Sequence, residues 1–248
     1  MEPMTNNTRV ALVTGGSRGI GAAIALRLAE DGANVAFTYH SRDREAAEVV
    51  ERVEAVGRRA IALRVDSADP VAVTGAVERT VTEFGRLDIL VNNAAAFLIG
   101  PVTDLGTAEF DQTVAVNVRA PFVASKTAAA HMSEGGRIIT IGSNVVDRVV
   151  FPGFTLYAMS KTALVGLTKG LGRELGPRGI TVNQIDPGPI DTELNPADGP
   201  NADAVNGFTA LGRYGQPAEI AAAVSYLAGD DGAYVTGSVI TVDGGFTI

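Results

Sequence analysis

Tyr157 and Lys161 stand four residues apart in the run Tyr157-Ala158-Met159-Ser160-Lys161. On a helix that spacing puts both side chains on one face. An ammonium close to a phenol stabilises the phenolate, so the pair predicts a tyrosine drawn below its usual pKa of about 10 and able to move a proton on and off an oxygen. Taken singly, such a pair is more often a solvated helix face; its surroundings give it meaning. Ser143 follows the apolar run Arg137–Ile141 and so lies at the carboxyl end of a strand. Ligands of open parallel sheets collect outside those ends.

A second group of residues suits a phosphate. The first apolar run ends in Thr14-Gly15-Gly16-Ser17-Arg18-Gly19-Ile20-Gly21 and passes directly into a helical segment. Glycines there permit positive φ and let the backbone approach a pyrophosphate, while the helix N-terminus supplies free N–H groups and partial positive charge. The spacing is Gly-x3-Gly-x-Gly, not the commoner Gly-x-Gly-x2-Gly. The second strand ends Phe37-Thr38-Tyr39-His40-Ser41-Arg42, with no acid before Asp43. A carboxylate at Tyr39 or His40 would bond a ribose 2′-hydroxyl and repel a 2′-phosphate; its absence removes that barrier. Arg18 and Arg42, with Ser41 as a donor, are placed to meet such a phosphate, so the expected cofactor is NADP(H) in preference to NAD(H).

Positioning these groups requires strands that end where helices begin. Short β-branched runs at Val10–Val13, Asn34–Tyr39, 60–65, 89–91, Arg137–Ile141, 180–185 and Val239–Val242 alternate with helical lengths at Gly19–Glu30, 44–56, Pro70–Phe84, 108–132, 157–175 and 217–227. Glycines at 32, 57, 85 and 176 stand where helices should stop. This alternation predicts one α/β domain over residues 1–248, a Rossmann-type doubly wound parallel sheet of about seven strands with helices on both faces. Residues 187–213, rich in Gly, Pro, Asn and Asp, read as a substrate loop or lid.

Composition narrows the chemistry. The 248 residues carry a net charge of −8, which repels a polyanion and argues against nucleic-acid binding. There is no cysteine, and His40 and His131 are the only histidines. Thiol catalysis is excluded, and a metal site is not expected. Residues 1–8 are polar and do not read as a leader, and no run of about 18 apolar residues occurs, so a cytoplasmic protein without a membrane partner is expected.

In this order and at these separations, the residues resemble the short-chain dehydrogenase/reductase family over essentially the whole chain. They are similar above all to the branch of 3-oxoacyl-[acyl-carrier-protein] reductases and related carbonyl reductases. The resemblance is carried by Thr14-Gly15-x3-Gly19-x-Gly21, Asp66, Asn92-Asn93-Ala94-Ala95, Asn117, Ser143, Tyr157-x3-Lys161, Asp186-Pro187-Gly188-Pro189-Ile190-x-Thr192 and Val242-Asp243-Gly244-Gly245. It implies that Tyr157 is the general acid for a carbonyl oxygen and the base in reverse. Lys161 would hold the nicotinamide ribose, Ser143 the substrate oxygen, and Asn117 a water linking Lys161 to solvent. Asp66 with Ser67 would hold the adenine, Asn93 with Ala94 and Ala95 would lie along the adenosine ribose, and Pro187, Gly188, Ile190 and Thr192 would cover the nicotinamide.

Two positions depart from the family pattern. Ala95 stands where glycine is usual, and Ser143 precedes Tyr157 by fourteen residues, leaving Asn144 at the commoner spacing of thirteen. Either Ser143 or Asn144 could therefore contact the substrate oxygen. The expected activity is NADPH-dependent reduction of a ketone or 3-oxoacyl compound by a homotetramer. The alternatives are a dinucleotide-binding regulator, or a lyase or epimerase on the same fold. Phe97, Val146, Phe151, Phe154 and Phe208 suggest an apolar or mixed carbonyl substrate. Arg119 matches one position used for carrier docking, although the net charge of −8 steers an acidic carrier poorly.

Overall fold

The computed structural model describes residues 8–248, so the reading of the N-terminus falls almost wholly outside the described residues. The chain alternates strand and helix: β1 (Val10–Val13), α1 (Gly19–Glu30), β2 (Asn34–Tyr39), α2 (Asp43–Ala55), β3 (Ala60–Arg64), α3 (Pro70–Phe84) and β4 (Ile89–Asn92). Then come α4 (Thr107–Val114), α5 (Ala120–His131), β5 (Arg137–Ile141), α6 (Thr155–Leu175), β6 (Thr181–Pro187), α7 (Ala202–Phe208), α8 (Pro217–Ala228) and β7 (Val239–Val242). The seven strands form one sheet in the order β3-β2-β1-β4-β5-β6-β7, every pair parallel.

Alternation along each strand divides the core into two layers. Ala11 and Val13 of β1 join Val35 and Phe37 of β2 in packing under α1, α2 and α8, where Ile24, Leu28, Val53, Ile220 and Val224 are buried. Leu12, Ala36 and Leu90 face the other way, onto Val77 of α3 and the alanines Ala120, Ala124 and Ala128 of α5. Small residues on α5 let that helix lie close to the sheet. The strand order reverses between β1 and β4, and the crevice outside their carboxyl ends is where such sheets bind ligands.

One expectation needs correction, and two gain detail. Residues 108–132 do not form one regular helix: a π-helical stretch, Ala115–Arg119, separates α4 from α5. Pro121 lacks the N–H that would bond the Asn117 carbonyl four residues back, so the regular ladder cannot run through. Gly176 caps α6, which ends at Leu175 as expected, but without a left-handed turn. It has helical φ and continues into a 3-10 turn, and the left-handed stop comes at Gly179 (φ 70°). The stretch 187–213, read as a loop or lid, contains the short helix α7, and its Ile190 bridges to Gly215 just beyond it.

Candidate active site

The glycine turn between β1 and α1 is held from two sides. Gly15 N donates to the Thr38 hydroxyl (3.0 Å) and Gly16 N to the Thr38 carbonyl (2.8 Å). From β4, the Asn93 amide donates to the carbonyls of Thr14 (2.9 Å) and Gly15 (3.0 Å), while Thr14 Oγ1 accepts from Asn93 N and Ala94 N. Gly21 is obligatory because a Cβ there would sit 2.1 Å from the Gly15 carbonyl oxygen. Arg18 stands at the helix N-cap without a side-chain cap bond, and no acid occupies the first turn of α1. Its first N–H groups are therefore available to an anion. By contrast α3 is capped, with Asp69 accepting from Val71 N. Ser17 and Gly16 are buried in the turn, with Gly19 and Ile20 half-buried beside them.

Arg18 and Arg42 converge on one carboxylate: Glu193 Oε2 lies 3.3 Å from Arg18 Nη1 and 3.6 Å from Arg42 Nη2. Arg42 also bonds Glu45 at 2.9 Å. A site in which two arginines already embrace an internal anion fits a 2′-phosphate. His40, Ser41 and Arg42 are exposed beside it. Tyr39 is half-buried, with Asp43 next to its hydroxyl, which raises the phenol's pKa. Asp66 is exposed and accepts from Ala68 N (2.9 Å), while Ser67 lines a narrow cleft with Thr14, Thr38, Asn92 and Ala94. Thr192 carries the loop after β6 over the glycine turn, its methyl 3.4 Å from where a Cβ of Gly19 would be. Pro187 and Ile190 are buried, and Gly188 N donates to the Val242 carbonyl (3.0 Å).

The acid/base group meets at the ends of β5 and β6. Ser143 lies beside the Tyr157 phenol, its Oγ accepting from Val145 N (3.4 Å) and its N donating to Asp186 Oδ1 (3.0 Å). Asn144 is buried, and among the described residues its amide nitrogen has no partner. Lys161 is buried, donates to the Ile141 carbonyl (2.9 Å), and lies 5.7 Å from the centre of the Tyr157 ring. The expected lowering of the tyrosine pKa is not what these surroundings produce. Burial pushes the phenol up to about 12, and the neighbouring Ser143 hydroxyl only partly opposes it. Burial also lowers the lysine, to about 8. The ammonium hydrogen-bonds a carbonyl, not the phenol, and desolvation dominates both groups.

Asn117 is buried in the π stretch, where its side chain accepts from Ala96 N (2.7 Å) and donates to Ala96 O (2.9 Å) and Ser160 Oγ (3.0 Å). The side chain is thus fully engaged. It therefore serves the packing of the Ala96 and Ser160 segments, and the water link expected of Asn117 does not run through its amide. The guanidinium of Arg119 is tied to the Ala68 carbonyl at 2.8 Å.

Thr38 is a member of the site that sequence reasoning missed. A threonine buried beside Phe37 near the end of β2 was the available signal. Nothing in the local sequence marked Glu193. Among the described residues there is no cluster of metal ligands, and no helix is long and apolar enough to cross a membrane.

Residues 15–247 match the family described as enoyl-(acyl carrier protein) reductase. A short-chain dehydrogenase from Burkholderia cenocepacia, solved in complex with NADP, is 54% identical and superposes with a TM-score of 0.95 over 97% of this chain and 98% of that one. The cyclic-di-GMP-binding biofilm dispersal mediator protein of Escherichia coli is 45% identical over 96% of this chain and 97% of its own. Versicolorin reductase 1 of Aspergillus parasiticus is 40% identical, with coverage of 96% and 95%. At that level of likeness over nearly its whole length, the chain belongs to the short-chain dehydrogenase/reductase family of NAD(P)-dependent oxidoreductases.

Proposed function

We propose that the protein is an NADPH-dependent carbonyl reductase acting on an apolar, ring-bearing ketone. The observation that carries this reading is the meeting of the Tyr157 phenol and Ser143 hydroxyl above a buried Lys161, at the strand ends where the glycine turn opens. When bound, the nicotinamide would supply a hydride to the carbonyl carbon, or in reverse take one from the carbinol carbon. Ser143 orients the substrate oxygen, and its place beside the Tyr157 phenol favours it over Asn144 for that role. Tyr157 keeps its proton at neutral pH because burial holds the phenol near 12, so it is loaded as a general acid. Lys161, as an ammonium, stabilises negative charge developing on the phenol oxygen and holds the ribose. Asp66, Ser67, Asn93, Ala94 and Ala95 flank the adenosine half. Arg18 and Arg42 take the 2′-phosphate, in line with the NADP bound by the Burkholderia relative.

An aromatic wall supports the substrate class. Phe97 meets Tyr157 edge-on with ring centres 4.9 Å apart, and Phe154, Phe151, Phe208 and Phe246 continue the run at 5.6–6.3 Å spacings. Such a wall favours a flat apolar ketone over a carrier-bound acyl chain.

Reduction is expected to fall as pH rises through about 8, where Lys161 loses its proton, well before the phenol ionises. The check is kcat/KM for an aryl ketone between about pH 6 and about pH 10. A profile flat to the alkaline end would contradict the role given to Lys161.

The proposal includes a cytoplasmic homotetramer with D2 symmetry. It is supported by an apolar groove of Val118, Phe122, Ala163 and Leu167 along the outer sides of α5 and α6, and by the open edge at β7. Gly166 and Gly170 leave open space for a neighbouring helix, whereas Gly172 packs inward against Gly237. Light scattering at micromolar concentration is expected to give four times the chain mass; a monomer would contradict this.

The likeness to a cyclic-di-GMP-binding mediator favours a second reading, a nucleotide-responsive regulator. Tight binding of cyclic-di-GMP without NADPH oxidation on any ketone would decide for it.

A further inference from the structure

Asp186 is the second-last residue of β6. Its carboxylate is fully buried at the end of β6 (0% exposed). Oδ1 accepts from Ser143 N at 3.0 Å and from the Gln184 side-chain amide at 2.6 Å, and behind it Thr168 Oγ1 donates weakly to Gln184 Oε1 (3.5 Å). Among the described residues Oδ2 has no partner. The space for this carboxylate exists because residue 142 is glycine: a Cβ there would lie 1.9 Å from Asp186 Oδ1 and 2.4 Å from the Gln184 amide nitrogen. A carboxylate buried with one bare oxygen opposes folding, so a pure stability role explains it poorly.

We propose that Asp186 is a positioning residue of the reaction, whose carboxylate fixes the Ser143 turn from below and supplies the buried negative charge that keeps the acid/base pair loaded with protons. This rests on the reductase reading given above. The charged and titratable groups that face it are Lys161 and Tyr157 on α6 and Asp147 on the turn after β5. Negative charge here favours the ammonium of Lys161 and disfavours the phenolate of Tyr157. Both effects hold the site in the state that a general acid requires. Burial raises the Asp186 carboxyl to about 6, so it is ionised at neutral and mildly alkaline pH.

Asp186→Asn removes the charge but keeps an oxygen for Ser143 N and almost the same volume. NADPH affinity by titration calorimetry is expected to stay within about 2-fold. The alkaline limb of kcat/KM should move to lower pH by about half a unit or more, and ultraviolet titration of the Tyr157 phenol in the free protein, taken against Tyr157→Phe, should move the same way. Gly142→Ala keeps the charge and displaces it, and should lower kcat about 10-fold or more with NADPH affinity unchanged. It also serves if the asparagine variant does not fold. An unshifted pH limb and phenol titration in Asp186→Asn, or a wild-type kcat in Gly142→Ala, overturns the proposal. Failure of the wild type to reduce any ketone overturns the reductase reading instead, and leaves the phenol titration as the test of the charge.

Discussion

Replacing Tyr157 with phenylalanine is expected to lower kcat for ketone reduction by about 10²–10⁴-fold, the range usual for a positioned general acid. The ring would keep its edge-on contacts with Phe97 and Phe154, so packing and NADPH affinity should change little. What is lost is the one transferable proton that the proposed mechanism delivers to the substrate oxygen. Steady-state kinetics with calorimetric NADPH binding separates the two effects. A variant retaining more than about a tenth of the wild-type kcat would remove Tyr157 from the mechanism.

The second large effect concerns cofactor choice. Wild-type protein is expected to prefer NADPH over NADH in kcat/KM by on the order of 10- to 1000-fold, as two charge-assisted arginine contacts to a phosphate allow. The value should fall toward the lower end. Both arginines are substantially exposed, and each must leave Glu193 before it can take a phosphate. Arg18→Ala and Arg42→Ala should each erode the preference by weakening NADPH, with little change for NADH. A wild-type preference for NADH, or undiminished discrimination in both variants, would show that the end of β2 has been misread.

Much of the fold was legible because period and punctuation agreed. The β-branched runs predicted β1, β2, β5 and β7 to the residue, and α1 and α3 began and ended where the glycine turn, Pro70 and Gly85 placed them. The misses have physical causes. The apolar pattern runs unbroken from α4 into α5, so the π stretch is invisible to periodicity, although Pro121 was a signal in plain sight. The short helix α7 lies among Gly, Pro and Asn residues and owes its place to Val205 and Phe208 packing with Tyr214 and Phe246, contacts that only the folded loop creates.

The site was legible as a set of residues but not as an electrostatic environment. Spacing put Tyr157 and Lys161 on one face, yet it could not show that burial outweighs their mutual attraction and raises the phenol. Nor could it show that the side chain of Asn117 is engaged by Ala96 and Ser160, or that Glu193 bridges the two arginines. Those facts depend on pairs more than 20 residues apart. Asn93 is a related case: its amide holds the glycine turn, so part of its value is structural whatever it does for a ribose.

The central claim is hydride transfer to a carbonyl with Tyr157 as the acid. It is tested most directly by incubating purified protein with NADPH deuterated at the transferable position and a panel of aryl ketones. Nicotinamide oxidation and the label in the product are then followed for wild type and Tyr157→Phe side by side. The account predicts that wild type oxidises the cofactor in step with alcohol formation and puts deuterium on the carbinol carbon, while the variant binds the cofactor and turns over slowly or not at all. Binding without oxidation across the panel, or equal turnover by the variant, would contradict it.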